Sequence, residues 1–245
     1  MRCRPSSSAA RVALLLGATA LLAVSAAVAS ASHRTIARSS APATARAINL
    51  RAGDLPTLNA RPISIQQSRR EAAAVASCSG ASSPSDAFAV AISPEFASKF
   101  GQGGLVIGSA VAIEPTAAIV ARDLAIARGQ RAVSCAVKFA LDALRASLPA
   151  GDTATAAAMR IPSIVSGTNG SVALRLTITI RSTVGSTGSV SKPATKTAVF
   201  VDEFSFGYGQ ARVSLAVESV LTPPPSSLEP RLEMLLLARA RSSIG

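Results

Sequence analysis

The segment 172–180, which reads VALRLTITI, decides the fold because apolar and polar residues alternate along it. A period of two is the pattern of a β-strand that buries one face. Two more strand-like segments follow, VFVDEFSF at 199–206 and VSLAV at 213–217. Gly207 and Gly209 lie between them, where a hairpin turn uses backbone angles that glycine adopts freely. We therefore predict three consecutive antiparallel strands within residues 172–221.

The rest of the chain supplies a further strand and several helices. In the segment 105–113, the residues on both faces of the expected strand are apolar or small. This predicts a strand covered on both sides. Apolar residues at helical spacing predict amphipathic helices, and Ser226 with Glu229 fits a capping box for the last one. The fold class is therefore α+β: an antiparallel sheet of about four to five strands flanked by helices, as an α/β/α sandwich. The predicted helices are 66–78, 115–128, 131–148 and one after residue 226, with another strand at 159–165 and a segment, 87–100, that fits either state.

Residues 1–31 have the organisation of a Sec signal peptide. Arg2, Arg4 and Arg11 precede an apolar run at 12–29, and Ala-Ser-Ala at 29–31 fits a cleavage site. The apolar run is also at the lower length limit of a membrane span, so an uncleaved anchor is the alternative. Either way we expect export to the cell envelope or secretion, and membrane contact only where the segment stays uncleaved.

The exported part divides into a tail and one domain. Residues 32–47 are rich in Ser, Ala, Thr and Arg and contain no acid, which predicts a basic flexible linker. Apolar residues become frequent from Ile48 onward. We therefore place a single α+β domain at 48–243.

The chain is strongly basic, with a formal net charge of +12. Loss of the three arginines of the signal peptide lowers this to about +9. Arginine greatly outnumbers lysine, a bias that either composition or an anionic partner explains. The basic residues are dispersed and not interleaved with aromatic ones, so we predict no nucleic-acid binding.

Two cysteines, Cys78 and Cys135, follow the signal peptide. A pair of cysteines in an oxidising compartment predicts one structural disulfide. The alternatives are two free thiols or a catalytic thiol. A nucleophilic cysteine needs a base such as histidine, and the one histidine, His33, lies in the tail.

Catalytic chemistry finds little support in the sequence. The acids, histidine and cysteines form no cluster with metal-ligand spacing, and Gly-Gln-Gly-Gly at 101–104 precedes a strand, whereas a dinucleotide fingerprint follows one. Asp202 and Glu203 are adjacent on a strand and point to opposite faces, so we expect them to pair with Arg175 or Arg212 across the sheet. We predict no catalytic residue, no metal and no cofactor, and hence no enzyme.

Binding residues are sought among the aromatic side chains. Phe200, Phe204 and Phe206 lie on one strand and are candidates to line a pocket between sheet and helices. Tyr208, the one tyrosine, lies near the tip of the last hairpin, where it either contacts a partner or packs on the turn.

The order of these features resembles the secreted sensor-like domains of actinobacterial envelope proteins, both those attached to receptor kinases and those of small lipoproteins. These domains are similar in fold to the PsbP-like α/β/α sandwich. The resemblance covers about residues 48–241 and implies an extracytoplasmic module that binds a ligand or partner. It is carried by Asp-Leu-Pro at 54–56, Cys78, Glu-Pro at 114–115, Ala-Arg-Asp at 121–123, Cys135, Val-Phe-Val-Asp at 199–202, Phe-Gly-Tyr-Gly at 206–209, Arg-Val-Ser-Leu at 212–215, the prolines at 223–225 and Leu-Ala-Arg-Ala-Arg at 237–241.

Three functions from different classes are compatible with this sequence. The favoured one is an exported, non-catalytic, sensor-like module that binds a small molecule, a lipid or an envelope protein. The second is a structural or adhesive envelope protein whose positive charge binds anionic wall polymers. The third is a hydrolase with an unusual carboxylate or lysine site, which would need a cleft gathering two acids or a buried lysine.

Overall fold

The computed structural model of the protein describes residues 34–98, 104–182 and 195–245. The predicted signal peptide, His33, Phe100 and the segment 183–194 lie outside these ranges. The helices are α1 (Ala41–Ile48), α2 (Ile65–Ser79), α3 (Ala117–Ala127), α4 (Gln130–Arg145) and α5 (Leu228–Ile244), with a short 3-10 helix at Ala52–Asp54. The strands are β1 (Asn59–Arg61), β2 (Ala89–Ile92), β3 (Glu95–Ala97), β4 (Leu105–Ile113), β5 (Thr153–Arg160), β6 (Gly170–Ser182), β7 (Thr195–Tyr208) and β8 (Ala211–Val220).

The strands form one antiparallel sheet in the order β1-β3-β4-β8-β7-β6-β5, and β2 also pairs with β4. The α+β class is confirmed, but the predicted number of about four to five strands is wrong, since the described residues form an eight-stranded sheet. Strands β1, β2 and β3 have only three or four residues each. Segments this short display too little alternation to be told from loops or helical turns.

The predicted three-stranded unit is present as β6, β7 and β8. Leu176 pairs with Val201, which in turn pairs with Glu218. The β7–β8 hairpin closes at the Tyr208–Ala211 pair, and Gly209 in the two-residue turn has a positive φ of 54°. This left-handed conformation is the reason that a glycine stands there.

One face of the sheet, which we call the α1/α5 face, carries the larger hydrophobic core. Strand residues of β4, β7 and β8 pack there against α1 and α5. The helix side contributes Ala41, Ala45 and Ile48 of α1 and Leu232, Leu236 and Leu237 of α5. The sheet side contributes Ile107, Val111, Ile113, Phe204, Phe206, Val213, Leu215 and Val217.

The opposite face, the α2/α3/α4 face, has its own core under α4. Ala136, Ala140 and Leu144 of α4 pack on alternate residues of β6 and β7. Helix α3 lies so close to β7 that a Cβ added at Gly207 would come within 2.4 Å of Val120 Cγ1. The strand residues of this core are Leu174, Leu176, Ile178, Val199 and Val201, together with Ala154 of β5.

The segment predicted as a flexible linker, 32–47, is helical in its second half. Helix α1 begins at Ala41, with Pro42 in its first turn, a position that tolerates proline. Ala41, Ala45 and Ile48 are fully buried. Their spacing of four and three residues places them on one helix face. Two of these three buried residues are alanines, so the segment resembles a linker in composition although its helix packs on the domain.

Two local predictions differ from the structure. The strand predicted at 159–165 is β5, Thr153–Arg160, and ends two residues before Pro162, which has no N–H to donate. Helix α5 has Ser227 at its N-cap without a side-chain cap hydrogen bond, and Glu229 is buried instead of completing a capping box. None of the helices formed by the described residues is long and apolar enough to cross a membrane.

Candidate ligand-binding site

The middle of the α2/α3/α4 face has a floor of small side chains. Gly108 pairs with Ala216, and Ala110 pairs with Ser214, so these four residues lie in two adjacent rows of β4 and β8. Ala112, in the next row, extends this floor along β4. Because none of these side chains is large, the sheet leaves space beneath the helices that cover it.

Helix α2 covers the end of this floor, and a partly open cavity of about 50 Å³ lies between them. The cavity is lined by three residues of α2, Ser68, Arg69 and Ala72, and by Pro84 of the loop that follows. The sheet contributes Val90, Ile92, Ala110, Ala112, Arg212 and Ser214. The lining is therefore largely apolar with a few polar groups, which is the usual make-up of a small-molecule site.

Helix α2 is fixed to the domain at its C-terminal end. The predicted disulfide is present between Cys78 and Cys135 of α4, with a Cα–Cα distance of 6.0 Å. Arg131 Nε donates to the Cys78 carbonyl at 2.7 Å. Cys135 is only 3% exposed because α2 packs beside α4.

The N-terminal half of α2 is more exposed than the end that the disulfide fixes. Ile65, in its first turn, is 52% exposed. Ser64 caps the helix by accepting a hydrogen bond from the Gln67 N–H at 3.3 Å. The cavity thus lies under the half of the helix that faces solvent, where a ligand has access to it.

Most polar groups around the cavity already have partners. The Ser68 hydroxyl donates to the Ser64 carbonyl at 3.2 Å, and the hydroxyls of Ser214 and Ser205 bond each other at 2.9 Å. Arg212 bonds Glu114. Arg69 is exposed and has no hydrogen bond or ion pair within the described part of the chain. It is the lining group that is free to bind something else.

Arg212 closes one end of the cavity through a buried ion pair. Its Nη2 lies 2.9 Å from Glu114 Oε1, and its Nη1 lies 3.8 Å from Asp123 Oδ2. Burial raises the pKa of Glu114, and the guanidinium of Arg212 opposes that rise. One arginine thus faces two buried carboxyls, so Arg212 is committed to the protein and is not available to a ligand.

Two further glutamates, Glu203 and Glu218, lie on the same face of the sheet, one on β7 and one on β8. Glu203 pairs with Ala216 and Glu218 pairs with Val201, so they are diagonal neighbours. Burial raises the pKa of Glu203 to about 8. Burial, and then the charge of Glu95, raises the pKa of Glu218 to about 8. The end of the Glu203 side chain is enclosed and its Oε2 has no partner in the described residues, although the residue keeps some accessible surface.

Asp202 points to the other face, as predicted, and pairs with Arg175. Arg175 Nε donates to Asp202 Oδ1 at 2.6 Å, and its Nη2 binds the second oxygen. Glu229 Oε1 of α5 lies 4.0 Å from the same guanidinium. Burial, and then the neighbouring Asp202, raises the pKa of Glu229 to about 8. The expected partner Arg212 binds Glu114 instead, so Glu203 has no cationic partner among the described residues.

The predicted aromatic residues do not line the cavity. Phe204 and Phe206 are 3% and 2% exposed in the core of the α1/α5 face, on the opposite side of the sheet. Phe200 shares their face, since it is an even-numbered residue of the same strand. Tyr208 is half-buried against that core, near the C-terminus at Gly245, rather than projecting from the hairpin.

The described residues contain no group of three or more His, Cys, Asp or Glu side chains placed to hold a metal ion. The acids on the α2/α3/α4 face form two pairs. Glu114 and Asp123 both form ion pairs with Arg212, and Glu203 lies beside Glu218. In the second pair, burial raises the pKa of Glu203 and of Glu218 to about 8.

A second depression lies between α4 and Ala158 of β5. It has a volume of about 440 Å³ and is lined by Val133, Val137 and Leu141 together with charged side chains. Lys138 and Arg145 both pair with Asp142 there. Because it is an open surface groove whose charges are already paired, the α2 cavity is the better candidate for a ligand site.

Sequence reasoning did not find the cavity. The signal was present in β4, where Gly108, Ala110 and Ala112 alternate with larger residues. Apolar or small residues on both faces predict cover on both sides. The same small residues leave a space wherever the covering helix does not come closer to the strand.

Comparisons with known proteins give one weak similarity. No protein-family model matches the chain, and no curated protein matches it. Among solved structures, the extracellular domain of PknH from Mycobacterium tuberculosis is similar, with a TM-score of 0.41 and 9% sequence identity over 86% of this chain and 99% of that chain. At this TM-score the similarity carries no inference about function.

Proposed function

We propose that this protein is an exported, non-catalytic module that binds a small ligand in the cavity between α2 and the sheet. The observation that carries the proposal is the cavity itself, an apolar space with one free polar group, over a floor of small residues. The disulfide is of the kind found in proteins that fold in an oxidising compartment, which supports export. The sensor-like role implied by the resemblance is part of this proposal.

Native mass spectrometry of the protein purified from the envelope fraction of its own host tests the proposal. We expect a small molecule bound to the wild-type protein. The variant Ala72→Leu, which adds a side chain to the cavity lining, should lose it. Gln66→Leu, on an exposed position of the same helix, is the matched control and should retain it. A ligand-free wild type, or equal occupancy in both variants, would count against this site.

The distribution of charge supports a second candidate function, adhesion to anionic polymers. Of the 13 acidic residues, all within the described part of the chain, only Asp86 and Asp142 are exposed. Most arginines are exposed, including Arg46, Arg160 and Arg231. The surface is therefore more basic than the formal charge suggests, and it attracts polyanions. Salt-sensitive co-sedimentation with purified wall polymer would support this function, which does not involve the cavity.

A further inference from the structure

The polar part of the ligand is indicated by the charges at the cavity. Four polar residues line it, and three of them, Ser68, Arg212 and Ser214, are bonded within the protein. The fourth, Arg69, has no partner among the described residues. A guanidinium has five donors and no acceptor. The ligand group that pairs best with the charged guanidinium of Arg69 is therefore an anion. A carboxylate matches the planar fork of this guanidinium.

The rest of the ligand is indicated by the apolar lining. Ala72, Pro84, Val90 and Ile92 offer no hydrogen bond from their side chains, and the floor adds Ala110 and Ala112. The volume of about 50 Å³ is smaller than the roughly 150 Å³ of an apolar cavity that holds benzene. The space therefore suits a short alkyl chain of a few carbons rather than a ring or a long acyl chain.

Building on the proposed function, we infer that the α2 cavity binds a short-chain alkyl carboxylate, with the alkyl end on Ala110 and Ala112 and the carboxylate on Arg69. The neighbouring charges agree with this orientation. Arg212, at the inner end, is neutralised by Glu114 and gives no reason for an anion to enter deeply. Arg69 lies at the exposed side of the lining, where the carboxylate keeps part of its hydration.

Titrations of the full exported protein with butanoate, followed by the amide signals of Ala110 and Ala112, test this inference. We expect saturable shifts at millimolar butanoate, since six non-hydrogen atoms limit the affinity. Butanamide, which is neutral, and butylamine, which is cationic, should bind more weakly than butanoate. Acetate, which has the carboxylate but hardly any alkyl chain, should also bind more weakly.

Two neighbouring arginines of α2 supply the matched variants. Arg69→Gln should weaken butanoate up to about fivefold, the range of a solvent-exposed ion pair, and should leave butanamide unchanged. Arg70→Gln, on an exposed residue that does not line the cavity, should change neither ligand. Arg69→Lys should keep most of the preference for butanoate.

The outcomes separate this inference from the proposed function. Equal binding of butanoate and butanamide, or an unchanged butanoate affinity in Arg69→Gln, would overturn the claim that the ligand carries a carboxylate. Shifts of the Ala110 and Ala112 amide signals would still support a ligand site. Equal binding of acetate and butanoate would overturn the alkyl part. If no probe shifts the amide signals of Ala110 and Ala112, the inference as a whole is overturned. Native mass spectrometry of the envelope-purified protein then tests the proposed function separately.

Discussion

The carboxyl end of Glu203 is enclosed, and no described residue places a cation beside it, which makes stability depend on pH. Burial raises its pKa from 4.5 to about 8. Between these values the folded protein holds a proton that the unfolded chain has released. The free energy of unfolding therefore falls as pH rises through this window, by up to ~1.4 kcal/mol per pH unit for each such group, and is constant outside it.

We predict that Glu203→Gln removes the part of this dependence that Glu203 contributes, while Glu218 and Glu229, whose pKa values are also raised to about 8, keep theirs. The amide resembles the protonated carboxyl, so the variant should match the wild type near pH 5 and exceed its stability at pH 8 to 9. Urea unfolding at a series of pH values measures the free energy of unfolding of the variant and of the wild type. Glu71→Gln, which removes a carboxylate on the partly exposed surface of α2, is the control and should follow the wild-type curve. Parallel curves for Glu203→Gln and the wild type would show that Glu203 is ionised in the folded state.

Individual residues also show where sequence reasoning stops. The Arg175–Asp202 pair was predictable because the two residues oppose each other on neighbouring strands. The Arg212–Glu114 pair was not, since it joins β8 to the end of β4 across 98 positions of sequence. The role of Arg69 depends on where α2 lies over the floor, and no local pattern in the chain encodes that position.

At the scale of elements, α3 and β7 are in unusually close contact. A Cβ at Gly207 would lie 2.4 Å from Val120 Cγ1 and 2.9 Å from Leu124 Cδ1. We therefore predict that Gly207→Ala destabilises the fold by roughly 1–3 kcal/mol through overpacking. Gly53→Ala is the control, because a Cβ there meets nothing within 4 Å. Thermal unfolding compares the two variants. Equal melting temperatures would mean that α3 moves to accommodate the added Cβ without loss of stability.

The disulfide determines how firmly α2 covers the cavity. It joins residues 57 positions apart, so the chain-entropy model gives a contribution of ~4 kcal/mol to stability. We predict that Cys78→Ser with Cys135→Ser lowers stability by this order and speeds amide hydrogen exchange in α2 more than in β6 to β8. Exchange that rises equally in all elements would show that α2 does not move separately from the sheet.

The elements that sequence analysis predicted well are those with a strong period of their own. Strands β6 and β8 and helix α4 have alternating or helical apolar patterns, and they were placed to within a few residues. Helix α1 and strands β1 to β3 are short, and β1 pairs with β3 although α2 and β2 lie between them in the chain. Their structure comes from tertiary contacts, so their sequences alone resemble linkers and loops.

At the scale of the molecule, acids are turned inward and arginines outward. Six acidic residues, Glu114, Asp123, Asp202, Glu218, Glu229 and Glu233, are buried. Exposed carboxylates are ionised, and guanidinium groups protonated, throughout pH 5 to pH 8, so the charge of the exposed surface changes little over this range. If the protein binds an anionic polymer through this surface, the binding should depend strongly on salt and only slightly on pH.

We predict that co-sedimentation with a poly(glycerol phosphate), whose diester charges are constant over this pH range, weakens at least about tenfold between 50 and 500 mM NaCl. It should be nearly equal at pH 5 and pH 8. The double variant Arg46→Glu with Arg231→Glu should bind more weakly than the same pair changed to Gln, because both positions are exposed. Ala72→Leu should bind like the wild type. Salt-independent binding would contradict a role for the basic surface, and binding that Ala72→Leu abolishes would assign the polymer to the cavity.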